Sequence, residues 1–427
     1  MSLSASRQLI SRLLSRNNKK CVKFTVNVRL KADDASKNPS NSNELGKIES
    51  AVLKKYSEPL HIEIVDPPKL LQSTEVLIDV NYCALNGLDV LLCENLYPRE
   101  QSLPFVPGYE LSGKLIQVSE GAKQAGYNVG DKVVALNKER FGGLADNCVA
   151  EINDVWKIPA SIKSIDAVCL LENYMTALIG LEKYGSISEE DMILINVGIG
   201  GIGLAAVDIA ANVFRAQVIG VGFSEDRADK IRERGAFHAL TYNEKRLIKE
   251  LEGIAKERDI KGIFEGEEGA QFKKVLYAFT NVYKSRTPSK HLLRDNNFGV
   301  VVQHLSKEGK IIVAGVSHSK SSKNALKESK EANEGKEKAD AKKDEEEDFF
   351  TVTGIDLMDY KKRKNELYRQ TGDEVISFFE EGLIKPVPSM VAGFHKVNEA
   401  YKFVSEMKGC GKVVIDMKNK DAEAKAK

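Results

Sequence analysis

Met192-Ile193-Leu194-Ile195-Asn196-Val197, Gly198-Ile199-Gly200-Gly201-Ile202-Gly203, Leu204-Ala205-Ala206-Val207-Asp208-Ile209-Ala210-Ala211-Asn212-Val213-Phe214: the fold is decided by this stretch. The first run is apolar, β-rich and short enough for a buried parallel strand. The last places Leu204, Val207, Ala211 and Phe214 at helical spacing, with Asp208 on the other side. Between them lies G-x-G-x-x-G. The first glycine permits a tight turn, the second lets a pyrophosphate approach the backbone, and the third lets the helix close on the strand. The helix N-terminus then offers unpaired N–H groups and a positive dipole end to phosphates. Strand, loop and helix in this order predict a dinucleotide site, with Gly198, Gly200, Gly201, Ile202 and Gly203 at the cofactor.

Outward from this loop, 427 residues suffice for two domains with real cores. A net charge of +1 gives no global electrostatic case for nucleic acid. The hydrophobic fraction of 42% is that of a soluble globular protein, and Asp or Gly interrupts the longest apolar stretches, so no transmembrane helix is expected. The cysteines (21, 83, 93, 148, 169 and 410) form no C-x-x-C and have no His at metal spacing. They read as reduced, mostly buried thiols.

Residues 1–32 carry eight Lys and Arg, many serines and no acid before Asp33. On a helix Leu3, Ile10, Leu13 and Leu14 share one arc, opposite Arg12 and Arg16. That is the pattern of a mitochondrial transit peptide, which predicts import to the matrix. Residues 33–47 read as a polar linker.

From 48 to 158 short strands alternate with turn signals: AVLKKY, LHIEIV, EVLIDVNYCAL, GKLIQV, DKVVAL and NCVAEI. The pattern predicts a mostly β domain. From 173 to 359 strands (ILINV, QVIGVG, ALTY, GIF, KIIVAG, FFTVTG) alternate with helices, which implies a parallel sheet. Two insertions break the alternation, a polar loop at 280–300 and a Lys/Glu/Asp/Ser/Ala run at 319–348 too charged to fold alone. A helix over Asp373–Glu381 and the strand Gly411–Ile415 close the chain before a lysine-rich tail at 418–427.

Five further motifs keep company with the glycine loop: Asn86-Gly87-Leu88-Asp89, Leu96-Tyr97-Pro98, Pro107-Gly108-Tyr109-Glu110, Val129-Gly130-Asp131-Lys132-Val133 and Gly411-Lys412-Val413-Val414. In order and spacing the chain resembles the zinc-free quinone oxidoreductase branch of the medium-chain dehydrogenase/reductases. The resemblance implies an α/β protein: a GroES-like β-barrel domain (48–172 and 361–417) plus a Rossmann doubly wound parallel-sheet domain (173–360), with the active site in the cleft between them. A homodimer is implied as well.

Zinc-dependent relatives bind catalytic metal through a Cys, the His of Gly-His-Glu and a further Cys or acid. Here the first position looks like Asn86 and the second is Tyr109, and no thiolate lobe exists for a structural zinc. No metal is expected. NAD-specific sites place an acid at the end of the second strand. That position here is Gly222, followed by Phe223-Ser224-Glu225-Asp226-Arg227. Ser224 and Arg227 can bind a 2′-phosphate, Arg227 through its planar fork. They resemble the Ser-Lys pair of NADPH-using members, so NADPH is expected. Ser224 also suits a helix cap, Arg227 a surface position, and Glu225 or Asp226 can reach a ribose instead. Tyr242 and Thr176 resemble the residues near the adenosine phosphate and the nicotinamide amide.

The reaction then implied is hydride transfer from NADPH to a quinone or enone. Asn86 would donate to the acceptor oxygen and Tyr97 would supply a proton or hydrogen bond, while Asp89 fixes the loop. A second tyrosine of bacterial relatives is Leu91 here. A different class of function stands beside this one: a catalytically weak NADPH-binding scaffold that uses the 319–348 insert to hold partners. Nucleic-acid binding has no basic folded face to support it.

Overall fold

The structure is a computed structural model. It describes residues 46–97, 101–198, 201–258, 260–266, 298–302, 350–406 and 409–426, with Val275 and Ala278 as isolated positions. The expected transit peptide, Pro98, Ile199, Gly200 and the insert at 319–348 therefore lie outside the described residues, as do most of the linker, the loop at 280–300 and the strand KIIVAG.

The chain begins with a two-stranded antiparallel ribbon, β1 (Ile48–Val52) and β2 (His61–Val65). The predicted strand AVLKKY is thus displaced: pairing starts at Ile48 and ends at Val52, where Leu53 bridges to Phe105 and the chain turns. Next come β3 (Glu75–Leu85), helix α1 (Gly87–Cys93), β4 (Glu110–Val118), β5 (Lys132–Leu136), β6 (Asn147–Glu151) and β7 (Val155–Lys157). Strand β3 pairs antiparallel with β4 along one edge and with β6 along the other.

A helical run over 171–184, with π-helical turns at both ends, leads into the parallel sheet. Its strands are β8 (Met192–Gly198), β9 (Gln217–Gly222), β10 (His238–Thr241), β11 (Ile260–Glu265), β12 (Phe298–Val302) and β13 (Phe350–Gly354). They lie in the order β10-β9-β8-β11-β12-β13, every pair parallel. That is the doubly wound order 3-2-1-4-5-6, whose strand order reverses beside β8 and opens a crevice at the strand C-termini. Helices α2 (Gly201–Asp208), α3 (Glu225–Glu233) and α4 (Glu244–Glu257) make the crossovers from β8 through β11. Leu247, Leu251 and Ala255 of α4 pack on Leu194, Ile219, Val221 and Ile263 of the sheet.

Asp208 departs from the amphipathic reading of α2. The helix is buried on all sides from Ile202 to Asp208. The Asp208 carboxylate accepts from the Tyr174 hydroxyl at 2.7 Å, the Arg234 guanidinium at 3.1 Å and the Lys385 backbone N–H at 2.8 Å. A charge can be buried there because each acceptor site is filled.

Helix α5 (Leu357–Arg363) and helix α6 (Asn365–Glu380) leave the parallel sheet, and the chain returns through β14 (Pro388–Gly393), α7 (Val397–Ser405), β15 (Lys412–Asp416) and β16 (Lys425–Ala426). Strand β15 pairs antiparallel with β3, setting Val413 opposite Leu85 and Val414 opposite Ala84. One eight-stranded sheet thus joins strands from both ends of the described chain. The described residues from Lys47 onward form one compact unit. Among the described residues no helix is long and apolar enough to cross a membrane.

Candidate active site

The fingerprint loop starts where β8 ends. Gly198 has φ of 58°, the left-handed region that glycine enters without cost. A Cβ on Gly203 would stand 2.5 Å from both Cα and O of Val197, so the third glycine does let α2 close on its strand. At the start of α2 the Asn173 amide lies 3.3 Å from where a Cβ of Gly201 would be. Asn173, Gly201, Arg234, Gly411 and Lys412 line a cleft at this helix start. Residues of the parallel-sheet part and of the closing β segment thus face one another at a helix N-terminus, the place physics provides for a phosphate.

Ser224 sits at the N-cap of α3 with extended backbone, and its hydroxyl makes no capping bond to the helix. Arg227 turns back toward the fingerprint. It donates to the Gly198 carbonyl at 2.9 Å and the Gly409 carbonyl at 3.2 Å, with its guanidinium 5.3 Å from the Phe223 ring. It is half-buried, neither a plain surface side chain nor extended into solvent. Tyr242 packs edge-on against Phe223 and donates its hydroxyl to the Asn196 side chain, whose amide in turn donates to Glu265. Thr176 is buried and donates its hydroxyl at 2.7 Å to the carbonyl of Glu172, one helical turn back. Ile202 is buried in the first turn of α2.

On the β-domain side, Asn86 caps α1 in a capping box with Asp89. Its amide is engaged at both ends. Nδ2 donates to Glu110 at 3.2 Å, and Oδ1 accepts from Lys412 Nζ at 2.6 Å. Lys412 also reaches Glu110 at 2.6 Å, and the other oxygen of Glu110 accepts the Glu172 backbone N–H at 2.9 Å. Asp89 accepts backbone N–H bonds from Asn86 and Gly108, both at 2.9 Å, so it does fix the loop. Burial pushes its carboxyl up to about 7.

Tyr97 is half-buried, its backbone N–H on the Leu91 carbonyl. Tyr109 is buried edge-on to Phe141, and burial raises its phenol well above the usual range, so it is neutral. Above the Tyr109 ring, 5.1 Å from its centre, stands the Lys138 ammonium, held by Glu172 at 2.8 and 3.1 Å. A committed amide and a neutral phenol are poor metal donors, and among the described residues no cluster of His, Cys, Asp or Glu could hold a metal ion. Cys83 and Cys93 are buried free thiols, each raised chiefly by burial, as inert thiols are.

The structure therefore gathers four residues that the sequence did not single out: Glu110, Lys138, Glu172 and Lys412. Glu110 and Lys412 each lie inside a recognisable motif, but 302 residues separate them, so no local spacing joins them. Lys138 precedes Glu139 and Arg140 and reads in sequence as one more surface charge.

Residues 72–160 match the alcohol dehydrogenase GroES-like domain family. Along most of its length the chain is similar to the quinone oxidoreductase-like protein 2 homolog of Nematostella vectensis, 28% identical over 377 residues, which cover 88% of each chain. It is also similar to quinone oxidoreductase-like protein 2 of Mus musculus, 24% identical, covering 86% of this chain and 92% of that one. Among solved structures it superposes on Escherichia coli quinone oxidoreductase complexed with NADPH with a TM-score of 0.67 at 19% identity, over 87% of this chain and 99% of that one. In sequence and in fold, a GroES-like β domain joined to a Rossmann sheet, this chain resembles the quinone oxidoreductase branch of the medium-chain dehydrogenase/reductases.

Proposed function

We propose that this chain is an oxidoreductase that takes hydride from NADPH and gives it to a quinone or a conjugated carbonyl, without a metal. The observation that carries the reading is the cleft lined by Asn173, Gly201 and Lys412 at the start of α2, since a helix N-terminus is where a pyrophosphate would bind. The relatives' names and the NADPH in the E. coli structure favour the same chemistry. Gly198 to Gly203 would hold the pyrophosphate, Thr176 would face the nicotinamide end, and Ser224, Arg227 and Tyr242 the adenosine end. Bound NADPH supplies the hydride; the protein orients it, excludes water and receives the charge that develops on the acceptor. Ser224 is exposed with its hydroxyl off the helix, while Arg227 would have to exchange a carbonyl for the 2′-phosphate. Asn86, held by Lys412 and Glu110, would shape the acceptor wall, and Tyr97 would supply a proton or hydrogen bond there.

The test is a panel of quinones and enones with NADPH and with NADH, read at the nicotinamide absorbance. Turnover is expected with NADPH, unchanged by a chelator, and Arg227→Ala is expected to narrow the preference over NADH about tenfold. Tight NADPH binding with no acceptor turned over would sink the reading. We further propose import into the mitochondrial matrix and a homodimer. A mature protein that still begins at Met1, or a monomeric mass by light scattering, would refute the one or the other.

A further inference from the structure

Two lysine ammonium groups each spend two of their three N–H bonds on partners within the fold, and they differ in exposure. Lys412 has a side chain 2% exposed and is closed in by Asn86 and Glu110 at 2.6 Å each. Lys138 has a side chain 11% exposed and a carboxylate partner, Glu172, 5% exposed. An ammonium carries three N–H bonds, and Glu172 takes two of them. Burying such a pair brings little net stability, since its desolvation offsets its attraction.

Its position is more telling. The Nζ stands over the Tyr109 ring, 5.1 Å from its centre. Glu172 immediately precedes Asn173, which lies against the first turn of α2 at the cofactor cleft. The backbone N–H of Glu172 is itself fixed by Glu110 at 2.9 Å. The cation is therefore held and largely shielded from bulk water, with its carboxylate partner one residue along the chain from the cleft wall.

We infer that Lys138 is the electrophile of this site: held by Glu172, its ammonium donates a hydrogen bond to the acceptor oxygen and stabilises the negative charge that hydride transfer places there. The inference rests on the reductase reading above. In an enone, the C4–H bond of the reduced nicotinamide breaks, and its hydrogen bonds to the β carbon with both electrons. The C=C pair shifts toward the carbonyl, and the C=O pair moves onto oxygen as an enolate. The acceptor is reduced, the nicotinamide oxidised, and Lys138 keeps its proton. Tyr97 or water then protonates the enolate. A preorganised donor in a low-dielectric site suits this role, because it needs no reorganisation when the charge appears.

Two measurements test it. Lys138→Met is expected to lower kcat about 100-fold with KM for NADPH unchanged, while Lys138→Arg retains most of kcat. Equal kcat in Lys138→Met and wild type would overturn the assignment. The second needs no turnover: 4-nitrophenol is titrated into the purified protein and its ionisation followed by visible absorbance. Wild type is expected to ionise the bound phenol about tenfold more readily than water does, and Lys138→Met is expected to lose that effect. Lys138→Met/Glu172→Gln removes the orphaned carboxylate; it should fold and lack the shift too. An unshifted phenol in wild type, or the same shift in a folded Met variant, overturns the assignment. If no acceptor is turned over by wild type but the phenol shift depends on Lys138, the reductase reading fails and the oxyanion site stands.

Discussion

Asp89 is sealed from solvent between two backbone N–H donors, and desolvation outweighs both. Its carboxyl is pushed from 3.8 up to about 7. The folded state thus holds this proton more tightly than the unfolded chain does. Its contribution to stability is complete below pH 4 and is lost as pH rises toward 7, by about 4 kcal/mol for roughly three units. Asp89→Asn cannot ionise. Urea unfolding across pH 4–8 should therefore show wild type losing stability relative to the variant, and parallel profiles would refute the placement of Asp89. The Asn-Gly-Leu-Asp motif was legible as a loop-fixing turn, because a capping box is local. That Asn86 would be held by a lysine 326 positions away was not.

At the scale of elements, helix α6 starts eight residues before the Asp373 expected from sequence, at Asn365. Gly372 lies inside this helix, where glycine is ordinarily unfavourable. A Cβ there would stand 2.3 Å from Cε2 and Nε1 of Trp156, so the glycine lets the helix lie on the indole. Tyr368 packs on the same ring, centroids 5.5 Å apart. Gly372→Ala should raise helix propensity and still destabilise the protein by ~1–3 kcal/mol through overpacking. A higher urea midpoint would show that the indole yields. The π turns at Leu171–Met175 and Gly180–Tyr184 likewise escaped periodicity, since residues i and i+5 align there. Leu171–Met175 matters most, as it carries Glu172 and Asn173.

In the whole molecule, β15 lies between β14 and β3, so the last strands complete a sheet begun some 330 residues earlier. Deleting residues 409–427 removes β15 and β16, exposes an edge of β3 and strips Lys412 from buried Glu110. Loss of cooperative unfolding by circular dichroism is expected; a cooperative transition in the truncated chain would show that the sheet closes without β15. By itself the sequence determined the two architectures and the place of the nucleotide loop. Those properties rest on periodicity and on glycine's steric freedom, which act between near neighbours. The tertiary structure alone decided which charges meet. Lys138 with Glu172, Lys412 with Glu110, and Arg227 with the carbonyls of Gly198 and Gly409 are pairs set by how distant segments pack. An ammonium in a sequence looks the same whether water or a buried carboxylate surrounds it.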